Sequence, residues 1–401
     1  MASAFEGTAP DEFVPEFDET PERRGSWSTK WDRYREGEDY RDVLPFWVAD
    51  MEFRAPEPVL EALHERLAHG VFGYTRVPDT LVEATLGFLD ACYGWQVEAD
   101  WLVWLPGVVP GLNLACSAVG EPGDGIVTAA PVYYPFLSAP ENGEREKIET
   151  RLVLEGARWV MDFDEIEDRL RPRTRMFMLC NPQNPTGRVY TRGELEALAD
   201  IAERHDLVIL SDEIHAGLLL DPARTHLPVA TLSPEIAART ITLMAATKTY
   251  NMPGLSCAFA VIPDAALRRD FRRAGRGLLA GVGPLGYAAT EAALRHGEPW
   301  RQRLLSILRR NEAILRGATA TWDGIEMAPA EATCLAWIDT RGAGLEDPHA
   351  FFEAAGVGLS PGPQFGGASR AGDGFVRFNF GCSRPMLEEG IRRMRAALAG
   401  R

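Results

Sequence analysis

The sequence predicts an α/β fold: a mostly parallel sheet flanked by helices, followed by a smaller α+β region toward the C-terminus. Two observations carry this. Four short, nearly continuous apolar runs, "GIVTAA" (125–130), "RMFMLC" (175–180), "LVILSD" (207–212) and "TITLMAA" (240–246), alternate with helical patterns. Runs of that kind fit parallel strands buried on both faces. After about residue 284 the pattern changes to long helices, "GYAATEAALRHG" and "WRQRLLSILRRNEAILRG", and then to shorter strands. A chain of 401 residues also exceeds what a single core usually organises. The expected division is an N-terminal arm with part of the small domain (1–55), a large ligand-binding domain (56–284) and a small C-terminal domain (285–401).

Taken in order, residues 1–25 are polar and read as a loosely held arm. "PVLEALHERLAHG" places Val59, Leu60, Leu63 and Leu67 at helical spacing and stops at Gly70, so a helix is expected over 58–70. "TRGELEALADIAERH" opens with Thr191 and Glu194 in capping-box spacing, and Leu195, Leu198 and Ala202 share one face. "AFAVIP" (258–263) reads as a further strand. "RRDFRRAGR" (268–276) reads as a solvated helix face. In "GFVRFNFGCSR", Val376, Phe378 and Phe380 alternate with Phe375, Arg377 and Asn379, so a strand would set Arg377 and Asn379 on one face.

Composition narrows the functional classes. The formal net charge of −16 disfavours nucleic acid and anionic membranes as partners, because both require a concentrated positive field. The six cysteines (Cys92, Cys116, Cys180, Cys257, Cys334, Cys382) lack metal-ligand spacing and read as reduced, buried thiols of a cytoplasmic protein, with no metal site. The N-terminal stretch is acidic and has no apolar core of a signal peptide. No apolar run approaches the roughly 20 residues of a membrane helix. The "GVGPLG" of Gly281, Gly283 and Gly286 spells a dinucleotide fingerprint, but no strand precedes it and Pro284 interrupts it, so it reads as a Gly-rich hinge.

Lysine usage is the first chemical signal. Of 42 Lys and Arg residues only Lys30, Lys147 and Lys248 are lysine. Arginine stays protonated, whereas a lysine amine can lose its proton and attack a carbonyl, which singles out Lys248 in "TKTYN" (247–251). In open parallel sheets ligands bind beyond the carboxyl ends of the strands. At those ends stand "PVYYPF" (131–136), "NPQNPTG" (181–187), "DEIH" (212–215) and "TKTYN". Each alone has a plain structural reading: Asp212 as a helix cap, Asn184 as a turn residue, Tyr133 as a packing aromatic, Lys248 as a surface charge.

Together they match the demands of pyridoxal phosphate catalysis. That chemistry needs a lysine to condense with the cofactor aldehyde, a carboxylate to keep the pyridine nitrogen protonated and an aromatic to stack on the ring. It also needs a donor to its phenolic oxygen and backbone amides for its phosphate. Lys248 and Asp212 meet the first two demands, and Tyr133 and Asn184 can meet the next two. Gly107, Val108 and Val109, in a turn just before a helix, offer the phosphate site.

With these residues in this order, the sequence resembles, over almost its whole length, fold-type I pyridoxal-phosphate enzymes, the aspartate aminotransferase superfamily. "RRGSWSTKWDRY" (23–34), "LPFWVADMEF" (44–53), "HGVFGYT" (69–75) and "SDEIHAGL" (211–218) resemble more narrowly the MalY/PatB-type cystathionine β-lyases. Gln183, Thr247 and Glu52 depart from the residues usual in that subgroup. The resemblance implies a large domain with a mostly parallel sheet of the seven-stranded type and a smaller α+β domain. It implies a homodimer in which Tyr74 reaches the phosphate of the neighbouring subunit's cofactor. It implies Thr247 as a phosphate ligand, His215 near the phenolic oxygen, Arg377 as the substrate carboxylate clamp, and Val48 and Ala49 on the substrate side.

The expected function is a C–S β-lyase that cleaves a cysteine S-conjugate or cystathionine-like amino acid to thiol, pyruvate and ammonia. An aminotransferase or a decarboxylating, aldehyde-forming variant would use the same residues around the ring. A non-catalytic regulatory protein of the same fold is the alternative of another class, and retention of Lys248 argues against it.

Overall fold

The computed structural model describes residues 14–401; the first half of the acidic N-terminal stretch, 1–13, lies outside them. The centre is an eight-stranded sheet of β1 (Leu102–Leu105), β2 (Gly125–Ala130), β3 (Glu146–Glu155), β4 (Arg158–Met161), β5 (Thr174–Cys180), β6 (Val208–Asp212), β7 (Thr240–Met244) and β8 (Ala258–Val261), in the order β1-β8-β7-β6-β5-β2-β3-β4. The pairs β7/β6, β6/β5, β5/β2 and β2/β3 are parallel, while β8 runs antiparallel to both β7 and β1, and β4 folds back on β3. The middle is parallel, as the apolar runs predict. The antiparallel β4 is an addition to the expected seven-stranded pattern, formed where β3 turns at Glu155–Arg158.

The apolar runs are buried along their length. Every residue of β2 and β7 is buried, as are nearly all of β5 and β6. That is the burial a strand covered by helices on both faces must show. Helix α1 (Glu57–His69) lies along the helix at 284–296, while α2 (Asp79–Tyr93), α3 (Val108–Ala118) and α4 (Arg192–Arg204) pack against the sheet. The capping box of α4 is formed: Glu194 N donates to Thr191 Oγ1 at 3.3 Å and Thr191 N donates to Glu194 Oε2 at 2.7 Å. Further along, α5 (Ala265–Ala274) is not the wholly solvated face expected, because Arg268 is buried and donates to the Ile262 carbonyl at 2.6 Å and to Asp100 at 2.6 Å. The "GVGPLG" stretch follows a helix and opens α6 (Pro284–His296), in keeping with its exclusion as a dinucleotide site.

A second sheet, β9 (Glu326–Met327), β10 (Leu335–Asp339), β11 (Ser360–Pro361) and β12 (Phe375–Asn379), is antiparallel in the order β9-β10-β12-β11, packed with α7 (Glu298–Thr319) and α8 (Arg384–Ala399). Residues 44–45 pair in parallel with 357–358, which ties the N-terminal segment to this sheet. The alternation in β12 is realised. Phe378 stacks on Phe46 with centroids 4.3 Å apart, while Arg377 and Asn379 turn toward the segment 47–50.

Residues 14–25 are not loosely held. Phe17 is fully buried against Phe53 and Trp300, and Asp18 pairs with Arg310 at 2.7 Å. Burying one such phenylalanine contributes about 1.5–3 kcal/mol, enough to fix an otherwise polar segment. All six cysteines are free, and five are buried; Cys92, at the end of α2, is exposed.

Candidate active site

The carboxyl ends of β1, β2, β5, β6 and β7 open on one cavity of about 420 Å³. Its walls include Gly107, Val108, Val109, Tyr133, Asn184, Asp212, His215, Thr247 and Lys248, with Val48, Ala49 and Arg377 closing it from the side of the second sheet. Residues from nine separate stretches of sequence meet there. A larger depression of about 830 Å³ lies between α2, the end of α6 and the 216–226 loop, and none of these residues lines it.

Asp212 ends β6, paired with Cys180 of β5 and Leu243 of β7. Its carboxyl accepts one hydrogen bond, from Ile214 N at 3.1 Å, and has no ion-pair partner among the described residues. Burial pushes this carboxyl up to about 7, with Glu213 adding to the rise and Lys248 opposing it. Lys248 is likewise without a carboxylate, and its Nζ donates to the Ala49 carbonyl at 3.2 Å. It is half-buried by surface because the cavity opens onto it, while its surroundings are those of the interior. Burial lowers its amine, and Arg377 acts in the same direction. His215 is 3% exposed, its Nδ1 has no partner, and burial with the nearby cations Lys248 and Arg377 lowers it to about 3, so the ring is neutral.

Arg377 is buried and spread over several acceptors. Nη1 donates to Asn184 Oδ1 at 2.9 Å, and Nη2 to the Trp47 carbonyl at 2.7 Å and to Ser360 Oγ at 3.2 Å. Its Nε is left without a partner, and the guanidinium lies 4.7 Å from the Phe365 ring centroid. Burial lowers it to about 10, which leaves it charged at neutral pH. Because Asn184 Oδ1 takes the Arg377 bond, its amide nitrogen remains as a donor. Burial and the adjacent Tyr134 raise the Tyr133 phenol well above its ordinary range, and the two rings lie 4.8 Å apart.

The helix after Gly107 begins two residues sooner than the sequence suggests. Val108 and Val109 form the first turn of α3, with Gly107 as its N-cap, so their N–H groups are among those a helix leaves free for an anion. Gln183, one of the departures from the subgroup pattern, does not line the cavity: Nε2 donates to the Pro131 carbonyl at 2.7 Å and Oε1 accepts from Thr186 N at 2.9 Å. It ties the strand ends that carry Tyr133 and Asn184 together. Tyr74 is fully exposed on the irregular segment 70–78 and does not line the cavity of its own chain. Sequence reasoning missed Trp47, Tyr134, Cys180, Pro253, Ser360 and Gln364, all of which line the cavity. The Tyr133–Tyr134 doublet was a usable signal for one of them; the segments of Ser360 and Gln364 carry no motif.

The donor set fits a flat, phosphate-bearing pyridine. It offers a buried carboxyl lacking a cation, an aromatic face, a free amide donor, an unpartnered imidazole nitrogen, an amine with lowered basicity and a free helix N-terminus. Among the described residues no group of three or more His, Cys, Asp or Glu side chains could hold a metal ion.

Residues 41–394 match the family model for aminotransferase class I and II. The chain is 37% identical over 392 residues to cystathionine β-lyase PatB of Bacillus subtilis, spanning 96% of this chain and all of that one. A crystal structure of OvoB superposes with a TM-score of 0.92 at 44% identity, covering 96% of this chain and 99% of the other. Cystalysin from Treponema denticola, whose crystal structure contains pyridoxal 5′-phosphate, superposes with a TM-score of 0.91 at 29% identity, covering 97% and 100%.

Proposed function

The chain belongs to the class I and II aminotransferase family, and within it we propose a pyridoxal 5′-phosphate-dependent C–S β-lyase acting on a cysteine S-conjugate. The overall reaction is R–S–CH2–CH(NH3+)–COO− plus water giving R–SH, pyruvate and ammonium. The observation that carries the proposal is the convergence on one cavity of an unpaired buried lysine, an unpaired buried carboxyl and a buried arginine. Relatives over nearly the full length bear lyase names, including PatB.

When bound, the cofactor links the substrate amino group through its aldehyde and accepts the electron pair released at the substrate α-carbon. Asp212 would hold the pyridine nitrogen protonated, Tyr133 would stack on the ring, and Asn184 and His215 would serve its phenolic oxygen. Gly107, Val108, Val109 and Thr247 would hold the phosphate. Arg377 receives the substrate carboxylate, for which its fork of donors is suited, and the Trp47–Ala49 strap closes over it.

Lys248 then removes the α-proton at its Nζ. Burial lowers the basicity of this amine, the direction that suits a general base. The C–S bond breaks with its electron pair on sulfur. In the proposed homodimer the exposed Tyr74 enters the neighbouring cavity. No helix of the described residues is long and apolar enough to cross a membrane, and free cysteines are in keeping with the reducing cytoplasm we assign.

The test is purified protein with pyridoxal phosphate and an S-conjugate, without any keto-acid acceptor. Thiol and pyruvate should appear in equal amounts, and Lys248→Ala should abolish the visible band of lysine-bound cofactor. A strict requirement for a keto acid would assign an aminotransferase instead.

A further inference from the structure

Lys248 sits in a single helical turn that reverses immediately after it. Tyr250 N donates to the Ala246 carbonyl at 3.0 Å and Met252 N to the Thr247 carbonyl at 2.9 Å, and Asn251 closes the turn in the left-handed region at φ 51°. Glycine is the usual residue for such a closure, with asparagine the occasional substitute. Backbone conformation alone therefore does not account for a side chain at 251. Its contacts do. Asn251 Oδ1 accepts from Met51 N at 2.8 Å, while Nδ2 donates to the Met51 carbonyl at 2.9 Å and to the Phe53 carbonyl at 2.6 Å. One amide grips both sides of a residue 200 positions earlier in the chain.

The segment it grips is the strap over the cavity. Asn379 Nδ2 donates to the Val48 and Asp50 carbonyls at 2.6 and 2.8 Å, and Lys30 adds a second bond to Asp50 at 3.0 Å. The carbonyl between them, that of Ala49, accepts instead from Lys248 Nζ at 3.2 Å. Asn251 therefore ties the strap to the turn that carries Lys248, and the strap offers the lysine amine a fixed acceptor. All of these bonds join segments of one chain. A general base must present its lone pair within hydrogen-bond reach of the proton it takes. An amine with one N–H on a fixed carbonyl has fewer directions left for that pair, and a misplacement of about 1 Å can cost roughly 10²-fold in rate.

Resting on Lys248 as the base of the lyase reading, we propose that Asn251 is a positioning residue for the α-proton transfer: by clamping Met51 and Phe53 to the lysine turn, it holds the Ala49 carbonyl where that carbonyl orients the Lys248 amine. Asn251 itself stands outside the cavity wall, so it acts through the strap.

The test uses two variants. Asn251→Gly removes all three side-chain bonds and accommodates the left-handed backbone; Asn251→Asp keeps only the bond accepted from Met51 N. In the cofactor-free full-length chain, hydrogen exchange over 47–53 should be at least ~10-fold faster in the glycine variant, less than three hydrogen bonds of ordinary strength would give. The visible band of lysine-bound cofactor should also form more slowly when pyridoxal phosphate is added. In the holoenzyme with S-methyl-L-cysteine, kcat should fall about 10- to 100-fold, with KM within about threefold of wild type. The aspartate variant should lie between wild type and the glycine variant in every measurement. Faster exchange with kcat and band formation unchanged reduces Asn251 to a structural tie and overturns the inference. So does slower chemistry without faster exchange, or a rise in KM with kcat unchanged, which would assign the strap to substrate binding alone. Absence of thiol release from the wild type overturns the lyase reading instead, and the exchange and band-formation measurements then decide on their own whether Asn251 positions the amine.

Discussion

Lys30 and Lys248 are both drawn into the interior, and their surroundings treat them in opposite ways. Lys30 is 2% exposed and pairs with the buried Glu52 at 2.6 Å, while its Nζ also donates to the Asp50 carbonyl at 3.0 Å. Glu52 in turn accepts from Arg23 at 3.0 Å and from Trp31 Nε1 at 2.9 Å, and Arg23 pairs with Asp50 at 2.5 Å. Burial raises the Asp50 carboxyl, but Lys30 and Arg23 outweigh it and hold the group below its usual range. This clasp fastens residues 23–31 to the strap 47–52. Around Lys248 every charge is instead left short of a partner, which a fold tolerates only where a ligand will supply one. Buried charge marks structure where it is paired and chemistry where it is not.

The largest effect that could break this comparison is at Lys248. Lys248→Ala should reduce kcat by roughly 10⁴-fold, the upper end for removal of a general base. The melting temperature of the cofactor-free protein should stay level or rise, because an uncompensated buried amine is removed. A marked fall in melting temperature would place Lys248 in the structural class of Lys30.

Asp212 sharpens the same point through pH. Its folded-state value, about 7 against an ordinary 3.8, means the folded protein binds the proton more tightly than the unfolded chain. Stability from this group is therefore present at low pH and is lost as pH rises from about 4 through about 7. Its limit is roughly 4 kcal/mol at about 1.4 kcal/mol per unit. His215 works in the other sense: lowered to about 3, it favours the fold above its ordinary 6.5 and withdraws that support as pH falls. In urea titrations of cofactor-free protein, wild type should lose stability relative to Asp212→Asn between pH 5 and pH 8. A constant difference would show that Asp212 is ionised throughout.

At the clasp the expected damage is to folding. Lys30→Met leaves Glu52 with Arg23 and Trp31 but without its buried cation, and should cost about 3 kcal/mol of unfolding free energy, the lower end for a broken buried pair. The protein that remains folded should keep its cofactor absorbance. Loss of the absorbance at unchanged stability would mean that Lys30 acts on the cofactor site directly.

How much of this was legible in the sequence follows from the same contrast. Asp212, Lys248, Asn184 and Tyr133 could be found because a parallel sheet delivers its strand ends to one edge, so a polar residue closing an apolar run has a predictable destination. The clasp could not: Arg23, Lys30, Asp50 and Glu52 lie in irregular segments whose pairing depends on residues 44–45 joining 357–358. Phe17, which turns the expected loose arm into packed structure, is a single apolar residue in a polar stretch, with no period to reveal its partners Phe53 and Trp300. Ser360 and Gln364 reach the cavity only through the order of the second sheet. The start of α3 at Val108 was hidden because proline at 110 reads as a breaker, although proline is well tolerated in the first turn of a helix.

The smallest effect lies where the two regions meet. Ser360 Oγ donates to the Trp47 carbonyl at 2.7 Å and accepts from Arg377 Nη2 at 3.2 Å, so one hydroxyl joins the strap to the proposed carboxylate clamp. In Ser360→Ala the Trp47 carbonyl keeps its bond from Arg377 at 2.7 Å, so the strap stays in place while the guanidinium loses one restraint. A single hydrogen bond contributes about 1 kcal/mol, and the loss should appear as a roughly fivefold rise in KM. Here kcat and melting temperature should be nearly unchanged, since neither the base nor the clasp is touched. A drop in melting temperature with unchanged KM would assign Ser360 to the clasp, and the line between paired structure and unpaired chemistry would then pass between Ser360 and Arg377.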